Sequence, residues 1–264
     1  MNRKRTLPDV YRHRKKICGG RGVSDVQGPN EENETEVRPE PARDAQASLQ
    51  YLHNLFPIDK FEGRLPPIIL RHQLYSLSPN RTELDQQLND IIKKGEVRLF
   101  KLGTIPDEFA LVFTEEYREH VRKFTSRLWD VPKTTIDKFL DLAIGSCLDV
   151  SLTRDDMINE LGFQENEIKD LFKAGLLAVR DVGSWWLSVP GAGTFMKSHL
   201  RGRKAILLMI RKCKYKEILQ KELEARKLPK AAKLGISYHI HDVIGADLVS
   251  CIDTTSGKLL RLNE

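Results

Sequence analysis

"NRTELDQQLNDIIKKGEVRLF", residues 80–100, changes its period at a single glycine. Leu84, Leu88, Ile91 and Ile92 recur at helical spacing and share one face. Gly95 is a helix stop, because glycine adopts the left-handed conformation without a Cβ clash. After it, "EVRLFKLG" and "EFALVFT" read as two strands joined by a loop. Upstream, "AQASLQYLHNLF" (45–56) and "PPIILRHQLYSL" (66–77) read as two further helices, the second opened by proline, which suits a first helical turn. The order is therefore three helices and then a hairpin.

The order recurs. "TTIDKFLDLAIG" (134–145) is helical, and "SLTRDDMINELG" (151–162) reads as a second helix. In it Thr153 and Asp156 stand at capping-box spacing, with Asp in place of the usual Glu or Gln. "QENEIKDLFKAG" (164–175) puts Ile168, Leu171 and Phe172 on one face and stops at Gly175. "LLAVRDVGSWWLSV" (176–189) is two strands around a turn at Asp181–Ser184. "IIKKG" and "LFKAG" end 80 residues apart and match in kind.

A third unit starts near Thr194, a plausible N-cap, and its first helix runs to about Lys212. Gly202 inside that helix costs about 1 kcal/mol against alanine. A second helix is read over Tyr215–Leu228, ending before Pro229, and a third in "SYHIHDVIGADL" (237–248), weakened by Gly245. "LVSCID" and "KLLRL" flank "TTSG", a hairpin with Gly257 in its turn. The predicted fold class is mainly α with short β-hairpins, in three tandem winged-helix domains, each a helix-turn-helix plus wing. The domains expected are a tail over 1–44, then 45–114, 115–190 and 191–264.

Charge is distributed unevenly along the 264 residues, whose net charge is +6. Residues 1–21 carry a net +7, residues 197–233 a net +10, residues 234–264 a net −2 and the stretch between, 22–196, a net −9. Two basic poles around an acidic middle point to a polyanion, nucleic acid being the commonest. The tail is poor in apolar residues and is expected to be disordered. Its clusters Arg3, Lys4, Arg5 and Arg12, Arg14, Lys15, Lys16 fit a nuclear-localisation patch. Cys18, Cys147, Cys213 and Cys251 are scattered singly, which reads as reduced thiols in an intracellular protein. The longest apolar run considered, Ala205–Ile210, is six residues, against roughly 20 for a bilayer span.

The basic pole of the third unit is a candidate interface. At 100° per residue Lys197, Arg201, Lys204 and Arg211 fall within an arc of about 80°, with Lys212 beside them. Leu200, Ile206, Met209, Ile210 and Cys213 lie on other sides and are expected to face the core. Lys214, Arg226 and Lys227 continue the charge. A row of cations suits regularly spaced phosphates, and each neutralised phosphate releases a counterion. The bland alternative is a solvated helix face, but pairing acids are scarce here. Such contacts carry no sequence information, so weakly specific binding to double-stranded DNA, or to RNA, is expected. The alternative function is a pure protein–protein scaffold whose ridge binds an acidic partner.

Trp185 and Trp186 alternate along a strand and point to opposite faces, one toward the core and the other toward a neighbouring unit or a partner. Tyr238 and His239 are weighed as nucleic-acid contacts. His239 and His241 have no carboxylate or cysteine cluster in the sequence, so no metal is expected, and no cofactor. "GGRG" at 19–22 lacks the spacing of a nucleotide loop, and there is no HRD, DFG, APE or Walker A motif, so no enzyme is expected.

At "RDVGSWWLSVPGAG" and "ISYHIHDVIGADLVSCIDTTSGKLLRL" the sequence resembles the family named serine/threonine-protein kinase 19, also described as a winged-helix repair factor, from about residue 45 onward. The resemblance implies three tandem winged helices, a nuclear location and DNA binding. It further implies a scaffold in transcription-coupled nucleotide excision repair, bridging stalled RNA polymerase II with its Cockayne-syndrome complex and UVSSA to TFIIH. The absent kinase motifs contradict the "kinase" of the name. A homodimer is left open, and no membrane partner is expected.

Overall fold

A computed structural model describes residues 44–102, 108–127 and 131–263. Helix α1 (Ala45–Asn54) is capped by Asp44, whose side chain accepts from the Gln46 amide. A short strand β1 (Ile69–Leu70), a 3-10 turn over Arg71–Ser76 and helix α2 (Arg81–Lys93) follow. Leu84, Leu88, Ile91 and Ile92 form the buried face of α2, as their spacing predicts. Gly95 ends it at a φ of 76°, and β2 (Val97–Lys101) and β3 (Phe109–Phe113) pair antiparallel. β3 also pairs with β1, which gives the order β1-β3-β2.

The same progression is built twice more. Helix α3 (Thr114–Thr125), helix α4 (Lys133–Lys138) with a π-helical continuation over Phe139–Ile144, strand β4 (Ser151–Thr153), a π-helical turn over Asp156–Glu160 and helix α5 (Glu165–Lys173) come first. Strands β5 (Leu177–Asp181) and β6 (Ser184–Leu187) close a sheet of order β4-β6-β5. Then come helix α6 (Ala192–Arg211), strand β7 (Glu217–Leu219), and helices α7 (Gln220–Glu224) and α8 (Ile236–Gly245). Strands β8 (Val249–Thr254) and β9 (Gly257–Leu262) complete the order β7-β9-β8.

One core cluster draws on all three progressions: Phe100, Tyr117, Phe139, Leu171, Phe195 and Tyr238 belong to it. Two smaller clusters lie under α1–α2 and under α6–α8. The sheets are therefore cemented together and do not hang as separate beads.

The structure corrects several readings. "PPIIL" opens no helix: Pro66–Leu70 are buried, Ile69–Leu70 pair with Leu111 and Ala110, and only the 3-10 turn after them is helical. "SLT" likewise forms β4, and the helical turns begin after it. The Thr153–Asp156 capping box is present, with the Thr153 amide donating to Asp156 Oδ2 at 2.7 Å and the Asp156 amide donating to Thr153 Oγ1 at 3.2 Å. Tyr215–Leu228 is not one helix, because Tyr215 and Lys216 take φ of 61° and 55° and the chain turns into β7 before α7. α6 begins at Ala192 after Gly191, so Thr194 lies within its first turn, its hydroxyl donating to the Gly191 carbonyl at 3.0 Å.

α3 ties the second sheet to the start of α6. Tyr117 Oη donates to the Ser188 carbonyl at 2.9 Å, and His120 Nε2 donates to the Pro190 carbonyl at 3.0 Å. Burial pushes His120 below the ordinary imidazole value of 6.5, nearby Lys123 adds to this, and the Pro190 bond opposes it. The fold thus favours neutral His120, so its contribution is whole above the ordinary value and declines as pH falls below it. The thermal midpoint should drop on acidification through about pH 6, and His120→Gln should reduce that drop. An identical pH profile in the variant would refute the assignment.

Candidate nucleic-acid interface

α6 is a 20-residue helix with one face in the core and one in solvent. Phe195, Ser198, His199, Gly202, Ile206 and Ile210 are its buried face. Lys197, Arg201, Lys204, Arg211 and Lys212 are all exposed. None of their five side chains has an ion pair or hydrogen bond among the described residues. Leu200, expected in the core, is 46% exposed, and Leu208 is 41% exposed beside the cations. The polar residues Ser198 and His199 occupy the inward positions, which rotates the helix away from the apolar pattern. Ile206 and Ile210 are buried as expected, while Met209 and Cys213 pack partly against the same core.

The rest of the basic stretch divides. Lys214 is exposed, its ammonium 4.9 Å from the centre of the exposed Tyr215 ring. Lys227 is exposed. Arg226 already has a partner, donating to Glu222 at 2.8 Å, one turn back on the same segment. Arg203 leaves the ridge altogether, turning inward to Asp242 and Glu108.

At its N-terminal end α6 opens onto a groove of about 930 Å³ lined by Lys101, Arg180, Trp186, Val189 and Met196, among others. Trp186 stands edge-on to Phe109 of β3 at 6.4 Å, with the Arg180 guanidinium 4.6 Å from its ring. Trp185 packs against the large core from the opposite face.

The third helix of the last progression offers nothing to a groove of DNA. In α8 Tyr238, His239, Ile240, Asp242, Val243 and Gly245 are buried, and its flank lies on the 3-10 turn Arg71–Ser76. Tyr238 donates to the Ile68 carbonyl at 2.8 Å, and Gln73 Nε2 donates to the Tyr238 carbonyl at 3.0 Å. This overturns Tyr238 and His239 as nucleic-acid contacts. What remains exposed and cationic is the first helix of the unit.

Sequence reasoning missed the buried group around Asp242. Arg203, His72, His199 and His239 converge on this carboxylate, and His199, His239 and Asp242 lie close enough together to hold a metal ion. The sequence shows no carboxylate cluster to support a metal there; the structure places Asp242 3.9 Å from the His239 ring. His72 is 170 residues from Asp242, and no local pattern announces the pair. The nuclear-localisation cations Arg3, Lys4, Arg5, Arg12, Arg14, Lys15 and Lys16, and Cys18, lie outside the described residues; Cys147, Cys213 and Cys251 are free. No helix among the described residues is long and apolar enough to cross a membrane.

With helices, three groups of short antiparallel strands and a cationic helix on its surface, the chain fits the winged-helix class. It belongs to the family described as "Inactive serine-threonine protein kinase 19", whose sequence profile matches residues 46–262. It is 47% identical over 239 residues to "Winged helix repair factor 1" of Homo sapiens, covering 90% of this chain and 92% of that protein. The protein of the same name from Xenopus laevis is 42% identical over 259 residues, covering 96% and 99%. A more distant relative from Schizosaccharomyces pombe, 27% identical over 215 residues (76% and 68%), carries the name "Serine/threonine-protein kinase mug51". The family description, inactive, agrees with the missing kinase motifs of this sequence.

Proposed function

We propose that the chain is a non-catalytic nuclear scaffold of three tandem winged helices, over 45–114, 115–190 and 191–264, that holds duplex DNA through the phosphate contacts of its third unit. Its place is transcription-coupled nucleotide excision repair, linking stalled RNA polymerase II, with the Cockayne-syndrome complex and UVSSA, to TFIIH. The repair-factor names of its relatives support a role in repair. The observation that carries DNA binding is the row Lys197, Arg201, Lys204, Arg211 and Lys212, exposed and without acidic partners among the described residues. Desolvating an unpaired cation against a phosphate breaks no existing bond, so its counterion release reaches affinity undiminished. With α8 buried, the contacts are to backbone, and affinity should be nearly independent of base sequence.

The test is a salt titration of binding to unrelated duplexes. Lys197→Ala and Arg211→Ala should each lower the slope of log affinity against log salt by about 1. Arg226→Ala should lower it less, because Glu222 already holds that guanidinium. Reversal of Lys197, Arg211, Lys214 and Arg226 to Glu should abolish binding while leaving the fold intact. Unchanged affinity and slope in a folded quadruple variant would reduce the ridge to a solvated face. If an acidic peptide competes, and affinity does not grow with duplex length, the protein-scaffold reading takes its place.

A further inference from the structure

We propose that His199, His239 and Asp242 hold one divalent transition-metal ion, zinc first among them, between α6 and α8. All three residues are fully buried. One potential ligand atom from each lies within 4.8 Å of the other two. His199 Nε2 is 3.1 Å and His239 Nδ1 3.9 Å from Asp242 Oδ2. Zinc bonds of about 2.0–2.1 Å in tetrahedral geometry put ligand atoms roughly 3.3 Å apart, so a shift of well under 1 Å in His239 brings its nitrogen to that distance from the carboxylate oxygen.

Three observations point to a cation here. First, all four ring nitrogens of His199 and His239 are buried without a hydrogen-bond partner, because even the 3.1 Å approach lacks hydrogen-bond geometry. Buried polar atoms are ordinarily satisfied, and an orphaned one calls for a ligand. Second, the lone pairs of Asp242 can be counted. Arg203 takes one on each oxygen, Nε donating to Oδ2 at 2.9 Å and a guanidinium nitrogen to Oδ1 at 2.6 Å. His72 Nε2 takes the second on Oδ1, at 2.7 Å. The second lone pair on Oδ2 is left, and the two orphaned imidazoles stand around that oxygen. Third, two carboxylates, Asp242 and Glu108, share the one guanidinium of Arg203, which donates to Glu108 at 2.8 Å. With neutral imidazoles the group carries one uncompensated negative charge, and a cation relieves it.

The surroundings suit the task. Two imidazoles and a carboxylate are a zinc-type donor set, with a fourth position left for water. Arg203 and His72 orient the carboxylate as outer partners do in metal sites. Gly202 has no Cβ, and one built there would lie 1.8 Å from His239 Nε2. That nitrogen faces α6 at Gly202, and Nδ1 is the one that faces Asp242, which makes Nδ1 the ligand. The rival occupant is a single proton shared by the imidazoles.

The experiment is metal analysis of the purified full chain, after expression with zinc and dialysis against a weak chelator. One zinc per chain is expected, with a thermal midpoint that falls when a strong chelator is present during unfolding. Cobalt substitution should give ligand-field bands without thiolate charge transfer, unchanged when Cys147, Cys213 and Cys251 are replaced by Ser. His239→Gln should lose the metal; if that variant does not fold, the wild-type stoichiometry still decides. Substoichiometric metal with a chelator-insensitive midpoint would overturn the site in favour of the proton. So would metal that disappears with the three cysteines.

Discussion

Asp242→Ala, measured by urea unfolding in excess chelator so that no metal contributes, is expected to lose about 3–5 kcal/mol. That is a large share of the 5–15 kcal/mol that typically holds a domain folded. Asp242 is fully buried and Arg203 nearly so. Burial alone would raise the Asp242 carboxyl, yet the hydrogen bonds from Arg203 and His72, with the imidazoles of His199 and His239 close by, hold it well below the usual carboxylate range. Removing the carboxylate leaves a guanidinium inside the protein with only Glu108 beside it, and strands His72. The loss is the penalty of leaving the buried donors of Arg203 and His72 without their acceptor, not the net worth of the pair. The double variant Asp242→Leu with Arg203→Met should therefore cost less than the sum of its parts. A loss below about 1 kcal/mol for Asp242→Ala would mean that water reaches the site and that the network is not closed.

Local periodicity made the elements legible in the sequence where it had room to develop. α2 and α5 each show an apolar face and a glycine stop, and short strand-like runs follow each stop. β1, β4 and β7 were not legible. They have two or three residues each, too few for a period of two to show, and each is defined by pairing with a strand at least 30 residues later. The break after α6 was hidden for a different reason. Tyr215 and Lys216 adopt positive φ without being glycines, so no residue type marks the turn.

The candidate interface was legible because exposed charge obeys helical geometry alone. Lys197, Arg201, Lys204 and Arg211 needed only their spacing. Arg203, two positions from Arg201, reads identically in composition yet points inward. Two positions at about 100° each put it on nearly the opposite side of α6, where Asp242 of α8 and Glu108 receive it. A pattern that treats Ser198 and His199 as solvent residues also misplaces Leu200. The inward face of α6 is set by close approach to α8, and close approach selects small and polar residues as readily as apolar ones.

Gly245→Ala is expected to pry the third unit from the first. Gly245 weakened the reading of α8 as a helix, since glycine is a poor helix former; its reason is contact. A Cβ built on it would lie 1.9 Å from the His72 carbonyl oxygen and 2.6 Å from the carbonyl carbon. Those are backbone atoms, and the turn that bears them cannot retreat. Gln73 Oε1 accepts from the Leu70 amide at 2.8 Å, while its Nε2 reaches Tyr238. The His72 side chain is fixed on Asp242. Overpacking of side chains costs about 1–3 kcal/mol, and a clash against fixed backbone should reach or pass the top of that range. Gly193→Ala is the contrast. Gly193 also lies in a helix, α6, and a Cβ there meets nothing within 4 Å, so the same substitution should be neutral or stabilise by up to about 1 kcal/mol. Amide exchange should locate the damage: protection should fall over Arg71–Ser76 and α8 in Gly245→Ala, while α5 keeps its own. If both substitutions shift stability in the same direction and by the same amount, α8 does not press on the first unit, and the burial that removes it from DNA recognition fails with it.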